Sequence, residues 1–350
     1  MRVLVTGAQG YIGVPLCAML AERGHGVLGL DTGFYNDGWL EDGQRYAEPP
    51  CAGQDVRRVT EDDLQDLDAV IHLGELSNDP LGQLQPEATY AINYRGSVAL
   101  AQRAKAAGVS RFLYSSSCSV YGFRATDDLL TEESPPSPQT VYAECKVLVE
   151  RALAEMADAA FSPTCLRNAT AYGPTPRMRF DLVVNNLAGL AWTTGEIRMI
   201  SDGSPYRPLI HVLDLCRAFV CALEAPQDLV HNRIFNVGET RENYRIRDVA
   251  GIVADLFPNC RVTLGDDADQ RSYRVSFEKI HEQLPGFRCE YDVAAGVRHL
   301  RAVFERAPLT RDRFEFRAHT RVKQLKYLLE TGRIDANFFW TARSAASAGR

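Results

Sequence analysis

Met1-Arg2-Val3-Leu4-Val5-Thr6-Gly7-Ala8-Gln9-Gly10-Tyr11-Ile12-Gly13 opens the chain, and its reading decides the fold. Val3, Leu4 and Val5 read as a short buried strand, and Gly7 stands where that strand must turn sharply into a helix. Gly10 leaves no Cβ in the way of a pyrophosphate approaching the backbone, and Gly13 lets the following helix, to about Arg23, lie close on the strand. The free N–H groups of that helix's first turn point at the anion. Val27-Leu28-Gly29-Leu30 is the next strand and ends in Asp31. An acidic residue there accepts hydrogen bonds from both ribose hydroxyls of NAD and repels a 2′-phosphate. The spacing predicts an α/β fold with a Rossmann-type, doubly wound parallel sheet. Gly7, Gln9, Gly10, Tyr11, Ile12, Gly13 and Asp31 are placed at NAD.

Composition limits the partners. The chain has 350 residues, enough for one large or two moderate domains with a full core, and a net charge of −6. With no dense Lys/Arg block, nucleic acid and anionic membranes are poor candidates for the main partner. Met1 leads straight into the first strand and no apolar run reaches membrane-spanning length, so a cytoplasmic location is expected. Nine cysteines lie singly, without a C-x-x-C pair, and read as reduced thiols; no metal site is expected.

Further along, Thr32-Gly33-Phe34-Tyr35-Asn36-Asp37-Gly38-Trp39 reads either as a cover for the adenosine half of a dinucleotide or as a surface loop. Asp55-Val56-Arg57 sits where a third strand would deliver a polar group to adenine. Asp68-Ala69-Val70-Ile71-His72-Leu73 is a fourth strand, and its tail, Gly74-Glu75-Leu76-Ser77-Asn78-Asp79-Pro80, should face the cofactor, because ligands sit beyond the carboxyl ends of such strands. Leu73, Gly74 and Ser77 are therefore site candidates. Residues 86–107 have helical periodicity, with Gly108 as a stop. A fifth strand, Phe112-Leu113-Tyr114-Ser115-Ser116-Ser117, precedes a helix at about 140–159. These two helices on one side of the sheet suggest a homodimer through a four-helix bundle. Thr164-Cys165-Leu166-Arg167 is a sixth strand, and Arg233-Ile234-Phe235-Asn236-Val237-Gly238 should return to the main sheet.

Tyr142-Ala143-Glu144-Cys145-Lys146 puts a phenol and an ammonium one helical turn apart on one face, about 130 residues after the glycine turn. A phenol with a pKa near ~10 is a poor base at neutral pH. A nearby lysine and the positive nicotinamide ring favour the phenolate and lower that value toward the working range. Lys146 can also hold the nicotinamide ribose. Ser117, at the end of the fifth strand, supplies a second hydroxyl to the same reacting oxygen.

With these residues in place, the chain resembles an extended short-chain dehydrogenase/reductase of the nucleotide-sugar epimerase/dehydratase family, over roughly residues 1 to 300. The match is carried by the glycine turn, Asp31, Asp55-Val56, Asn93, Ser115-Ser116-Ser117-Cys118-Ser119-Val120-Tyr121-Gly122, Tyr142 through Lys146, and Tyr172-Gly173-Pro174. Arg207-Pro208-Leu209-Ile210-His211-Val212-Leu213-Asp214 and Phe235-Asn236-Val237-Gly238 extend it. The resemblance implies Tyr142 as catalytic base, Lys146 as its activator and Ser117 as partner hydroxyl. Asp31, Asp55, Val56, Asn93 and Ser115 fall at tightly held NAD. Relatives that dehydrate a sugar across C5 and C6 carry Asp-Glu beside that serine, and decarboxylating relatives keep a Glu; this chain has Cys118-Ser119. What remains is hydride and proton transfer at one carbinol carbon, as an epimerase requires, and the resemblance then implies an epimerase of a nucleotide-activated hexose or heptose, with C4 as the expected carbon, through a transient keto sugar. A 4,6-dehydratase or ketoreductase is the rival within the family, and a non-catalytic dinucleotide sensor the rival outside it.

The substrate's diphosphate calls for cations, and Arg207 and Arg271 are the candidates, since a guanidinium grips such a group bidentately. Ser77, Ser117, Cys118, Thr170, Arg179 and Asn186 complete the expected substrate side. Cys118 reads as a small packing residue or a reactive thiol, and Glu75 as a second acid or base or an outward-facing carboxylate. The expected division is an NAD-binding domain at 1–170 with a returning segment near 208–240, and a smaller mixed α/β substrate subdomain at 171–207 and 241–335. Residues 336–350 are expected as a flexible tail. The arginines after Arg301 read most simply as a solvated basic face.

Overall fold

Strand β1 (Arg2–Thr6) sends Val3 and Val5 into one core and Leu4 into another, because successive side chains leave a strand on opposite faces. Burial on both faces is what a central strand of a parallel sheet requires. The computed structural model describes residues 1–40, 46, 49–77, 79–123, 128–199, 201–265 and 272–341. With β2 (Gly26–Asp31), β3 (Cys51–Gly53), β4 (Ala69–His72), β5 (Arg111–Ser117), β6 (Ser162–Asn168) and β7 (Arg233–Val237), β1 forms a seven-stranded sheet in the order β7-β6-β5-β4-β1-β2-β3. Every pairing in it is parallel. The strand order reverses between β1 and β4, which opens a crevice at their carboxyl ends.

Helices cover both faces. On one, α1 (Gly13–Glu22) brings Leu16, Cys17 and Leu20 against Val3, Val5 and Ile71. Each such leucine contributes roughly 1.5–3 kcal/mol by leaving water. On the other, α2 (Ser97–Ala106) and α3 (Val141–Met156) pack Leu100, Ala104, Val149 and Leu153 on Leu4, Val70 and Phe112. The helical stretch expected at 86–107 is interrupted. Between Pro86–Thr89 and α2 the chain widens to a π-helix at Tyr90–Gly96, and it stops at Gly108 with φ +82°. The third strand is Cys51–Gly53, and just beyond it Asp55 caps the short helical turn Val56–Arg58 by accepting the Arg57 N–H at 2.9 Å.

Beyond β6 the strands are short, as the composition implies. Thr170–Tyr172, Tyr206–His211 and Asn243–Arg245 form a three-stranded mixed sheet. Helices α4 (Val183–Thr194), α6 (Ile246–Leu256) and α7 (Val293–Arg306) surround it, and α5 (Val212–Glu224) returns to the main sheet. Residues 321–341 do not follow the expected division. Leu325 and Leu328 of α8 (Arg321–Glu330), with Ile334 and Phe338, join Leu4, Leu30, Phe34 and Val56 in the core of the main sheet. Of the expected tail, Phe338 is therefore anchored in that core, with residues 336, 337 and 340 exposed around it; 342–350 lie outside the described residues. No helix among the described residues is long and apolar enough to cross a membrane.

Candidate active site

The crevice at the switch between β1 and β4 is one cleft with two halves. Gly7, Gly10, Tyr11, Ile12, Gly13, Asp31, Asp55, Val56, Leu73 and Gly74 line the first half. Gly7 has φ +73°, where a side chain would be strained, and a Cβ on Gly13 would collide with the Gly7 carbonyl. A Cβ on Gly10 would meet only the Gly7 carbonyl within 4 Å, so the turn stays open on its outer side. Asp31 Oδ1 accepts the Gly33 N–H at 2.9 Å and Oδ2 the Gln9 N–H at 3.0 Å. Burial pushes the Asp31 carboxyl up, while those two N–H groups and the arginines 177 and 321 pull it back. The open glycine turn, a helix N-terminus and an acidic strand end suit the pyrophosphate and ribose of a dinucleotide. Phe34 and Tyr35 of the aromatic loop also line this half.

The second half holds Ser115, Ser117, Tyr142, Lys146, Thr170, Arg179 and Arg207, with Ser77 shared between the halves. Thr140 caps α3 through the Ala143 N–H at 3.2 Å, which sets Tyr142 and Lys146 on successive turns facing the cleft. The Lys146 ammonium lies 5.4 Å from the centre of the Tyr142 ring, and Ser117 lines the same half of the cleft. The expected lowering of Tyr142 is corrected for the protein alone. Burial pushes the phenol above its ordinary value; Lys146 and Ser117 pull it down, and Glu75 and Asp79 push it up.

Glu75 is also corrected from an outward-facing carboxylate. Its side chain is 2% exposed, and it accepts hydrogen bonds from Lys146 Nζ at 2.5 Å, Tyr114 Oη at 2.8 Å and Ser97 Oγ at 2.9 Å. Ser97 lies 2.8 Å from His72 Nε2, whose Nδ1 is 2.6 Å from Thr6 Oγ1, so a buried polar chain runs from β1 to Lys146. Burial lowers Lys146, but Glu75 and Tyr142 outweigh it and hold the ammonium charged. Nothing local in the sequence shows this, since the partners are spread from residue 72 to residue 146.

Four candidates stand off the cleft. Asn93 is fully buried and clamps the Leu76 N–H and carbonyl, each at 2.9 Å, so it shapes the β4 tail instead of facing the ligand. Cys118 is 1% exposed, with its thiol on the Arg167 carbonyl and pushed up by burial: a packing residue. The Asn186 side chain donates to the Phe180 carbonyl at 3.0 Å, and Gln9 lines a neighbouring recess behind the glycine turn. Arg271 lies outside the described residues. The basic-face expectation is corrected at Arg321, which is 3% exposed and lines the first half of the cleft.

The sequence model of the NAD dependent epimerase/dehydratase family matches residues 3–238. The chain belongs to that family. Members of the NAD-dependent epimerase/dehydratase family use NAD, and the first half of the cleft fits it. Among similar proteins is the UDP-glucose 4-epimerase of Corynebacterium glutamicum, 30% identical over 276 residues, covering 73% of this chain and 80% of that protein. The UDP-glucose 4-epimerase of Yersinia pestis is 29% identical, over 68% of this chain and 78% of its own length. A solved structure of MoeE5 with UDP-glucuronic acid and NAD is 25% identical, with a TM-score of 0.74 over 87% of this chain and 99% of its own. The Thermotoga maritima UDP-glucose 4-epimerase structure, 23% identical with a TM-score of 0.76 over 88% of this chain and 100% of its own, shares the fold.

Proposed function

We propose that the protein epimerises a nucleotide-activated sugar at C4, with Tyr142 as the base. The observation that carries this is the convergence of Tyr142, Ser117 and Lys146 where the two halves of the cleft meet. The UDP-glucose 4-epimerase relatives support UDP-hexoses as first substrates. Bound NAD supplies the hydride acceptor and donor at the reacting carbon. Tyr142 takes the C4 hydroxyl proton while Ser117 holds the same oxygen, and returns it once the keto sugar has presented its other face. Lys146, charged and fixed by Glu75 and the Ser115 carbonyl, favours the phenolate while that proton is away.

The epimerase reading is preferred to dehydration because elimination needs a free acid and base beside the tyrosine. Cys118 is turned into the core, and both oxygens of Glu75 already accept hydrogen bonds. Arg207 is placed to meet the nucleotide diphosphate, and Thr170, Ser77 and the Asp181-paired Arg179 line the sugar side of the same half. A homodimer through α2 and α3, acting in the cytoplasm with an NAD-binding domain and a substrate subdomain, belongs to the same reading, and light scattering gives its mass.

The test is incubation with UDP-glucose, UDP-galactose and UDP-glucuronic acid without added cofactor. C4 epimers should appear, no product should absorb in alkali as a 4-keto-6-deoxy sugar does, and added NADH should not be consumed. A 4-keto product or stoichiometric NADH consumption overturns the epimerase assignment.

A further inference from the structure

Residues 317–340 lie beyond those matched by the family model, yet Arg321 among them lines the cofactor half of the cleft. The segment is strapped across the carboxyl ends of β2 and β3 at several points. Arg317 pairs with Asp37 at 2.7 Å, Gln324 donates to the Phe34 carbonyl at 2.9 Å, and Trp340 Nε1 donates to the Thr32 carbonyl at 2.7 Å. From the other side, Arg57 donates to the Asn337 carbonyl at 2.8 Å and stacks on Phe339 at 3.7 Å. The first turn of α8 is thereby held at the junction of the two halves, with Arg321 on the cofactor side and Thr320 and Val322 on the sugar side.

Arg321 is the unusual member. Its side chain is buried against the Tyr35 ring, 3.9 Å from the guanidinium carbon, and its Nη1 has no hydrogen-bond partner. A buried guanidinium left partly unsatisfied is costly unless an anion completes it. Burial, with Arg179 and Arg177 beside it, pushes its pKa down to about 10, while Tyr35 and Asp181 pull it up. Arg179 is not in the same position, because Asp181 already holds it through two hydrogen bonds, at 2.9 and 3.0 Å. Across the cleft stand Gly10, Tyr11 and Ile12, the backbone wall that suits a pyrophosphate.

We propose that Arg321 binds the diphosphate of NAD from the side opposite the glycine turn, so that segment 317–340 is a cofactor-retaining strap. This rests on the reading of the first half of the cleft as the NAD site. A strap anchored on Thr32, Phe34 and Asp37 also covers the adenosine end, so cofactor release requires it to lift.

The probes are ADP-ribose, which carries the diphosphate, and adenosine, which does not, titrated calorimetrically into wild-type protein freed of cofactor and into Arg321→Gln. Losing a charge-assisted hydrogen bond should weaken ADP-ribose about 10- to 100-fold, with adenosine unchanged. Equal ADP-ribose affinity in the two proteins, or an equal loss for both probes, overturns the proposal. Hydrogen exchange on the wild type gives a readout that does not depend on the variant folding. ADP-ribose should slow exchange in the first turn of α8 more than adenosine does, and identical protection by the two overturns the proposal. A wild type that binds neither probe overturns the parent reading of the cleft as well.

Discussion

At Tyr142 two opposite charges compete for one proton. Lys146 favours the phenolate and Glu75 disfavours it, and both are buried, so neither is well screened by water. Tyr142→Phe removes the base and should lower kcat about 10²- to 10⁴-fold with cofactor binding retained. Lys146→Met withdraws the cation, so the rise of kcat with pH should move to higher pH. Glu75→Gln withdraws the anion and should move it to lower pH. Opposite displacements of the two profiles check the assignment, and an unchanged profile in both variants removes the pair from the mechanism. Glu75→Leu leaves a buried ammonium unpaired and should cost about 3–5 kcal/mol of stability in denaturant unfolding.

Among the elements, the glycine turn and the strap are the two that shape the cofactor half. Gly13→Val forces a side chain into the Gly7 carbonyl, so the turn or α1 must shift. NAD affinity should fall with it, read by titration. In the strap, Phe338 is fully buried and sits at φ +60°, a left-handed conformation that a bulky residue keeps only where its packing outweighs the strain. Phe338→Ala should cost about 3–5 kcal/mol in chemical denaturation. How far these elements could be read from the chain follows from where their partners lie. β1, the turn and Asp31 were legible because each signal sits within a few residues of its consequence. The bounds of the third strand could not be read locally, because Cys51-Ala52-Gly53 has no β-branched residue and is a strand only through its register with Gly29, Leu30 and Asp31. The strap was hidden by its arginines. Leu325 and Leu328 show helical spacing, but which surface they meet is decided by Leu4 and Phe34, some three hundred residues earlier.

For the molecule as a whole, burial makes stability depend on pH through side chains far apart. Burial pushes His72 down to about 4, His211 to about 3 and His319 to about 4, each from 6.5. Folded values below the unfolded one mean that the unfolded chain takes up protons first. Their contribution is therefore complete above pH 6.5 and is lost as the pH falls toward 4. Glu242, which burial pushes up to about 7, acts in the opposite sense, one group against three. The unfolding free energy should thus be lower at pH 5 than at pH 7.5 by a net about 1–3 kcal/mol, with a correspondingly lower thermal midpoint, measured by calorimetry at both values. The site was legible at the same scale only in part. Tyr142, Lys146 and Ser117 were readable from their types and spacing, whereas Glu75 and Arg321 acquire meaning only when distant segments meet. The central claim, that Tyr142 moves a proton at a carbon whose own hydrogen never reaches water, is tested most directly by running the reaction on UDP-glucose in D2O without added cofactor and following C4 by proton NMR. The account predicts a C4 epimer that keeps protium on C4. Deuterium at that carbon, or no epimer, would contradict it.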